Sequence, residues 1–444
     1  MGTHDTRIGA ALAAATCGLL GVTAPRASLA QDSGKKWDID SAALYYGESD
    51  GRVKDASLAL DARRDFGEDR SLDVALHFDT LTGASPNGAI ASNTAQTFTS
   101  PSGRGAYSAA AGQLPLDSSF HDTRVAVDAG WTQPLGRLFK LDAGVSLSNE
   151  FDYQHIGASL GLRRDFDRRN TTLSAAVAFA QDTVKPVGGA PIAFSAMQDA
   201  VRGEGEGDEF EGGRRGEDKT VVDLLVGVTQ VLGRHSLLRL NYSLSDSSGY
   251  LTDPYKILSV VDPVSGDLVT RTPAPGTEGP GGVYLFESRP DSRRRQGLYA
   301  EYRQDFGGRV LQLGYRYSTD DWQVDSHTLD ARLRVPVGAA SYLEPHLRYY
   351  TQTAASFYRY SLTQGEPLPQ FATADARLGE MSAGTVGLKF GHQTAGGNEW
   401  SARLEFYRQS SKVPTGQLIG NQIGNVQLPD FDAVILQFGY RFKL

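Results

Sequence analysis

The sequence predicts an all-β fold: a single transmembrane antiparallel β-barrel of about 16 strands, with short periplasmic turns and long extracellular loops. Three observations predict it. The chain opens with an export signal, period-two alternation of apolar and polar residues then runs from Trp37 to Leu444, and the connections between alternating segments are short and long by turns.

The export signal comes first. Arg7 precedes an uncharged run from Ile8 to Ala24, and Ser28 and Ala30 supply the small residues of a cleavage site before Gln31, the three-part pattern of a secretory signal peptide. The expected organisation is therefore residues 1–30 as signal peptide and 31–444 as the barrel. A retained membrane anchor is the alternative, but an Ala/Gly-rich run of this length barely spans a bilayer. Cys17, the one cysteine, is no match for a lipidation site, because Ala14, Ala15 and Thr16 lack the usual Leu three positions upstream. Cleavage after Ala30 leaves no cysteine, and so no disulfide, thiol nucleophile or cysteine-held metal.

Charge and hydropathy narrow the class further. Removing Asp5, Arg7 and Arg26, a net +1, takes the formal charge from −8 to −9, and an acidic chain lacks the basic face that general nucleic-acid binding needs. After Ala24 no apolar run reaches the length of a membrane helix, so a span must be built from strands.

The last strand shows the alternation best. Val434, Leu436, Phe438, Tyr440, Phe442 and Leu444 share one face, and Gln437, Gly439, Arg441 and Lys443 share the other. A soluble edge strand does not expose six consecutive same-face apolar or aromatic residues. Segment Val434 to Leu444 also resembles the terminal signal read by the barrel-assembly machinery, with Leu444 where a terminal Phe is usual. The same pattern recurs at Leu72–Asp79, Arg124–Trp131, Phe139–Leu147, Leu311–Tyr317 and Trp400–Phe406.

Seven short connections lie at Phe66–Arg70, Pro134–Arg137, Phe166–Asn170, Leu232–His235, Phe306–Arg309, Pro336–Ser341 and Thr394–Asn398. Three repeat a phrase, Arg64-Asp65-Phe66-Gly67, Arg164-Asp165-Phe166-Asp167 and Gln304-Asp305-Phe306-Gly307, which sets an aromatic at a strand end beside a tight turn, as at a membrane interface. The long excursions cover residues 82–119, 183–218, 246–294, 354–380 and 410–430. A closed cylinder follows, because an open sheet edge in hydrocarbon leaves backbone amides unsatisfied at several kcal/mol each. A lumen of that size holds water unless loops fill it.

Four stretches carry a resemblance: Ala75–Ala89 around His77-Phe78-Asp79-Thr80 and Ser85-Pro86-Asn87-Gly88, Thr252–Asp262 with Asp253-Pro254-Tyr255-Lys256, Tyr284–Arg295 with Arg289-Pro290-Asp291-Ser292-Arg293, and Tyr342–Tyr358 with Pro345-His346-Leu347-Arg348-Tyr349-Tyr350. Together they resemble an uncharacterised family of Gram-negative outer-membrane barrels, a domain of unknown function. The resemblance implies the fold and an outer-membrane location, and a gene neighbourhood with a small lipoprotein and a flavin-attaching enzyme, but no activity.

Candidate site residues lie on polar strand faces and in loop 246–294. His77 and Asp79 are two apart and point the same way, as do Glu344, His346 and Arg348. Each set reads either as a lumenal acid/base site or, the favoured reading, as part of a hydrated lumen laced with charge pairs, because no third group at a diagnostic spacing completes a triad. Arg289, Arg293, Arg294 and Arg295 with Asp291 could hold an anionic solute or a lipopolysaccharide phosphate. The favoured alternative folds them inward against Asp253, Asp262 and Asp267 to constrict the pore. Glu204 to Asp218 interleaves acids with Gly and Arg and reads as a solvated loop, since it lacks the ligand spacing of a calcium loop. No motif implies a metal or cofactor, and no amino-terminal plug domain precedes the first strand. The expectation is a non-enzymatic pore or binding barrel for a small polar solute, contacting outer-membrane lipid and lipopolysaccharide. The alternatives are a scaffold barrel for a periplasmic or redox partner, and a lumenal hydrolase using His77 with Asp79 or His346 with Glu344.

Overall fold

The computed structural model describes residues 37–49, 52–83, 86–99, 106–117, 120–187, 189–197, 216–271 and 281–444. The expected signal peptide and most of the acidic Gly/Arg stretch, residues 204–215, lie outside them.

Sixteen antiparallel strands close into a barrel. They are β1 (Trp37–Glu48), β2 (Val53–Gly67), β3 (Arg70–Gly83), β4 (His121–Leu135), β5 (Phe139–Asn149), β6 (Tyr153–Phe166), β7 (Thr171–Val184), β8 (Glu217–Gly233), β9 (Ser236–Gly249), β10 (Ser292–Asp305), β11 (Val310–Asp320), β12 (Ser326–Val337), β13 (Ser341–Gln352), β14 (Glu380–Gln393), β15 (Glu399–Lys412) and β16 (Phe431–Lys443). Each pairs with its neighbour in sequence, and β16 closes on β1 in the register Asp38↔Lys443 to Glu48↔Ala433. Trp37 and Leu444 exchange backbone hydrogen bonds of 2.9 Å in both directions, which seals the seam. Closure leaves no strand edge, the condition for backbone satisfaction in lipid.

The alternation resolves into an apolar outside and a polar inside. Leu436 and Phe438 are 48% and 53% exposed, and Leu58, Phe78, Val145, Ile156, Phe179, Leu298, Leu347, Val386 and Phe406 stand out from the wall around the ring in the same way. A belt of this extent far exceeds the patches that a water-soluble monomer exposes, and it is the surface that hydrocarbon accommodates.

All seven short turns sit at one end. The repeated phrase builds two of them alike: Asp65 accepts from the Gly67 N–H at 2.7 Å and Asp305 from the Gly308 N–H at 2.6 Å. Arg64 lies over Phe66 and Arg164 over Phe166, 5.1 and 4.5 Å from the ring centres, pairing cation and aromatic at the interface. Gly67 takes φ +80, a conformation open to glycine at little cost.

The other end carries eight connections. Five are the long excursions and three, residues 49–52, 150–152 and 321–325, are short. The long ones do not hang free. Residues 257–261, 284–286 and 362–363 form a three-stranded sheet from loops 250–291 and 353–379, and Leu258 and Val261 within it, like Ala372 and Thr373 of loop 353–379, have no exposed surface. In a ring of sixteen, loop 84–120 rises after β3, loop 250–291 after β9, loop 353–379 after β13 and loop 413–430 after β15. They nonetheless meet. Ile257 N–H donates to Asn87 O at 2.9 Å and Ile90 N–H to Ser259 Oγ at 3.1 Å. Asn421 N–H donates to Ser265 O at 2.7 Å, and Gln427 Nε2 to Gly112 O at 2.6 Å. Loops rooted on opposite sides can bond only by crossing the mouth, so they form a folded cap over it.

Candidate functional site

The strands place the predicted polar residues on the lumen face as parity requires, and pair them across strands rather than along them. His77 Nε2 faces Asp128 at 3.9 Å, while Arg124 holds Asp79 at 2.6 Å. His77 and Asp79 therefore do not form the dyad considered from sequence. His346 likewise turns from Glu344: its Nδ1 lies 2.9 Å from Glu405 and its Nε2 2.9 Å from Asp330. Two carboxylate acceptors require both ring nitrogens to donate, which suits a structural bridge between β12 and β15. Glu344 lies 3.7 Å from Arg403. Arg348 faces the lumen with no ion pair among the described residues.

The arginine group of loop 250–291 also finds other partners than expected. Arg289 contacts Glu287 at 2.6 Å and Asp375 at 2.8 Å, Arg293 contacts Asp320 at 2.5 Å, and Arg294 contacts Asp246 at 2.7 Å. Asp262 instead accepts the backbone N–H groups of Val264 and Ser265, and Asp267 accepts from Asn93 and Asn421. Asp253 binds Arg377. Asp291 is exposed and contributes its backbone oxygen to Gly249 N–H. Arg289 and Arg293 turn inward while Arg294 stays exposed, and apart from Glu287 their acids come from another loop and from strand ends, which sequence distance concealed.

These contacts make one buried ionic cluster at the centre of the cap: Asp253, Lys256, Glu287, Arg289, Asp375 and Arg377. Thr373 donates to Glu287, and Lys256 Nζ donates to Pro86 O at 2.6 Å. Burial pushes the Asp253 and Asp375 carboxyls up, but the facing cations Arg377, Lys256 and Arg289 outweigh it, holding Asp253 down at about 2 and Asp375 well below the usual range. For Glu287 burial wins over the attraction of Arg289 and the carboxyl is raised. Burial also lowers the Lys256 ammonium despite its acidic neighbours.

A second constellation escaped the sequence. Ser146 Oγ lies 2.9 Å from His155 Nε2, and His155 Nδ1 lies 2.6 Å from Asp182 Oδ1. All three are buried on the inner faces of β5, β6 and β7. Asp182 also takes Lys219 at 2.6 Å and the Tyr153 hydroxyl at 2.5 Å. Ser146 pairs across with Gly157, where a Cβ would stand 2.5 Å from its Oγ, so glycine clears the space that lets the hydroxyl reach His155. Asp182 fixes the Nδ1–H tautomer and leaves Nε2 to accept from serine, an order of nucleophile, base and orienting acid. Inward parity on adjacent strands was readable; the register that joins them was not.

Among the described residues one carboxylate group converges, Asp122, Glu150 and Asp152, with oxygens within 4.8 Å. Tyr255 of the cap donates to Asp152, so this group ties the cap to the wall. At the short-turn end, the turns after β2, β4 and β6 surround a hollow of about 840 Å³ lined by Arg70, Arg137, Arg168 and Arg169 with Glu68 and Asp69.

Residues 9–442 match the family model described as a protein of unknown function (DUF3570). The chain belongs to this family. The match spans the four stretches that carried the sequence resemblance. No curated protein matches this DUF3570 chain. Among solved structures, it is similar to the ferric enterobactin receptor PfeA of Pseudomonas aeruginosa at 12% identity and a TM-score of 0.42, covering 86% of this chain and 55% of the receptor. The DUF3570 chain thus spans about half the receptor's length. A bacterial polysaccharide outer membrane secretin aligns at 8% identity and 0.42, over 93% of this chain and 100% of its own. The outer membrane protein OpdK from Pseudomonas aeruginosa aligns at 9% and 0.37, over 93% and 99%.

Proposed function

We propose that the chain, exported by a signal peptide cut after Ala30, is an outer-membrane barrel that admits a small polar solute through a mouth held shut by its own loops. One observation carries this reading: a folded cap bonded across the mouth stands above a lumen wall of charged and hydroxyl side chains. A scaffold barrel needs no hydrated, ion-lined interior, and a permanently open pore needs no cap. Planar-bilayer recording of refolded residues 31–444 tests it. The expected result is a closed baseline with rare openings, and frequent, larger openings once residues 252–290 are replaced by a short Gly/Ser linker. Silence from both proteins would overturn it.

A second reading, a lumenal hydrolase, is favoured by the Ser146, His155 and Asp182 geometry in place of the dyads considered as an alternative from sequence. The strand amides around Ser146 are committed to the sheet, so rate support would rest on general base catalysis, worth about 10²–10⁴-fold. A fluorophosphonate probe decides between the readings. Labelling of Ser146 that disappears in Ser146→Ala and His155→Ala supports the hydrolase, and absence of labelling in the cap-shortened protein removes it.

A further inference from the structure

We infer that the lumen is electrically polarised across its width and selects small zwitterionic solutes, which carry an ammonium and a carboxylate on one short skeleton. The inference rests on the solute-admitting reading above and adds the class of solute.

The observation is a division of inward charge by strand. On β1–β8 the inner face is dominated by carboxylates, among them Asp55, Asp61, Asp79, Asp128, Asp142 and Asp223. On β9–β15 the inner face is dominated by cations, among them Arg239, Arg316, Arg334, Arg348, Lys389 and Arg403. In a sixteen-strand ring each strand faces the one eight places on. Asp79 on β3 thus faces the strand of Arg316, Asp128 on β4 that of Arg334, and Asp142 on β5 that of Arg348.

Local pairing does not erase the division. Asp79, Asp142 and Arg403 are neutralised by neighbours on their own side. Asp55, Asp61 and Asp223 on one arc, and Arg239, Arg316, Arg334, Arg348 and Lys389 on the other, make no ion pair among the described residues. Three of these cations are held against the wall by aromatic faces instead, Lys389 with its Nζ 5.8 Å from the Tyr342 ring centre. Arg316 lies 5.3 Å from the Tyr299 ring centre and Arg334 3.5 Å from that of Tyr342. Such stacking fixes a guanidinium without cancelling its charge.

Opposed arcs of fixed charge set a field across the lumen rather than along it, focused by the low-dielectric wall. A simple anion is drawn to one arc and repelled by the other, and a simple cation meets the reverse. A zwitterion turned with its ammonium to the β1–β8 arc and its carboxylate to the β9–β15 arc is favoured at both ends. An uncharged apolar solute displaces water ordered by the same field and gains nothing in return. Selectivity of this kind follows from pore-lining charge alone.

Flux into proteoliposomes tests the inference, using β-alanine against propionate and ethylammonium, which are smaller and carry only one of its two charges each, and glycerol as the report of an open path. Wild type and the loop-shortened protein are compared. The expected result is β-alanine entry about tenfold faster than either singly charged solute, with that preference lost in Arg239→Gln/Arg316→Gln/Arg348→Gln and ethylammonium then leading. Asp55→Asn/Asp61→Asn should move the ranking toward propionate. Glycerol flux with a ranking set by size or net charge alone, unmoved by these variants, overturns the polarised lumen while leaving the pore intact. If glycerol does not pass, the pore reading fails, and equilibrium dialysis of labelled β-alanine against the detergent-held protein decides. Saturable binding lost in the triple variant supports the polarised lumen, and no binding overturns it.

Discussion

Asp375→Ala is the perturbation that the cap should resist least. Asp375 is buried at the centre of the ionic cluster, where its Oδ2 accepts Arg377 Nε at 2.8 Å and Nη2 at 2.5 Å and Arg289 Nη2 at 2.8 Å. Its Oδ1 accepts the Arg377 backbone N–H at 3.1 Å, capping the 3₁₀ turn Ala376–Leu378. Removing it leaves the buried Arg289 guanidinium and the partly exposed Arg377 guanidinium each short of an acid. Breaking one partner of a buried pair costs about 3–5 kcal/mol, and losing a side-chain cap about 1 kcal/mol. Taking about 4 kcal/mol for the whole, and 1.4 kcal/mol per tenfold, the open population of the cap should rise about 10³-fold. Amide hydrogen exchange reads this directly. Protection of Ile257–Val261 and Thr373 should fall by that factor, while the amides of β15 and β16, held by ladders on both sides, keep theirs. Unchanged protection in the cap refutes the ionic closure, and an equal loss in the barrel refutes the independence of cap and cylinder.

The same cluster sets an acid limit. Asp253 and Asp375 have folded carboxyls lowered below their ordinary value, so their stabilisation is present above pH 3.8 and is lost as pH falls toward about 2; Glu287, which is raised, acts in the opposite sense. Trp322, buried under the cap while Trp37, Trp131 and Trp400 lie toward the short turns, should red-shift in fluorescence over that window, and a constant spectrum would count against it. On the lipid face, Leu436→Arg near the middle of β16 should cost about 2–4 kcal/mol in refolding into bilayers, whereas Gln437→Arg, one residue on and facing the lumen, should cost far less. Intact-mass analysis of protein from native membranes should show an amino terminus at Gln31, and a mass retaining residues 1–30 would remove the cleavage site.

Much of the cylinder is legible from parity. A two-residue repeat assigns each side chain to one wall without any knowledge of its neighbours, which is why Leu436 and Gln437 fall where the sequence puts them and why all seven short turns appear. Pairing is a different matter. It depends on register, fixed by turn length and bulges such as the shift between Asp65 and Gly67, and a step of two residues exchanges one inward partner for another. His346 meets Asp330 and Glu405 rather than Glu344 for this reason, and His155 meets Ser146 and Asp182 on two different strands. The cap was hidden for another reason. Ile257-Leu258-Ser259-Val260-Val261 is an apolar run broken only by Ser259 inside a long loop, and periodicity alone does not separate a buried strand from an ordinary loop segment; its partners, residues 284–286 and 362–363, lie far away in sequence.

The composition of the cap bears on what it is for. Closure by itself asks only for packing, and Leu258, Leu362, Ala372 and Ala374 already supply a buried apolar cluster. Replacing buried ion pairs by apolar residues of similar volume is commonly neutral or stabilising, so a cap selected for permanence would extend that cluster through its centre. Asp253, Lys256, Glu287, Arg289, Asp375 and Arg377 occupy the centre instead, drawn from loop 250–291 and loop 353–379. Each ion depends on at least one from elsewhere in the network, so separating the two loops exposes several unpaired charges to water together, where hydration stabilises them, and the open state is favoured relative to an apolar seam. An ionic centre therefore makes closure cooperative and reversible at once, which suits a mouth that must open more than a mouth that must not.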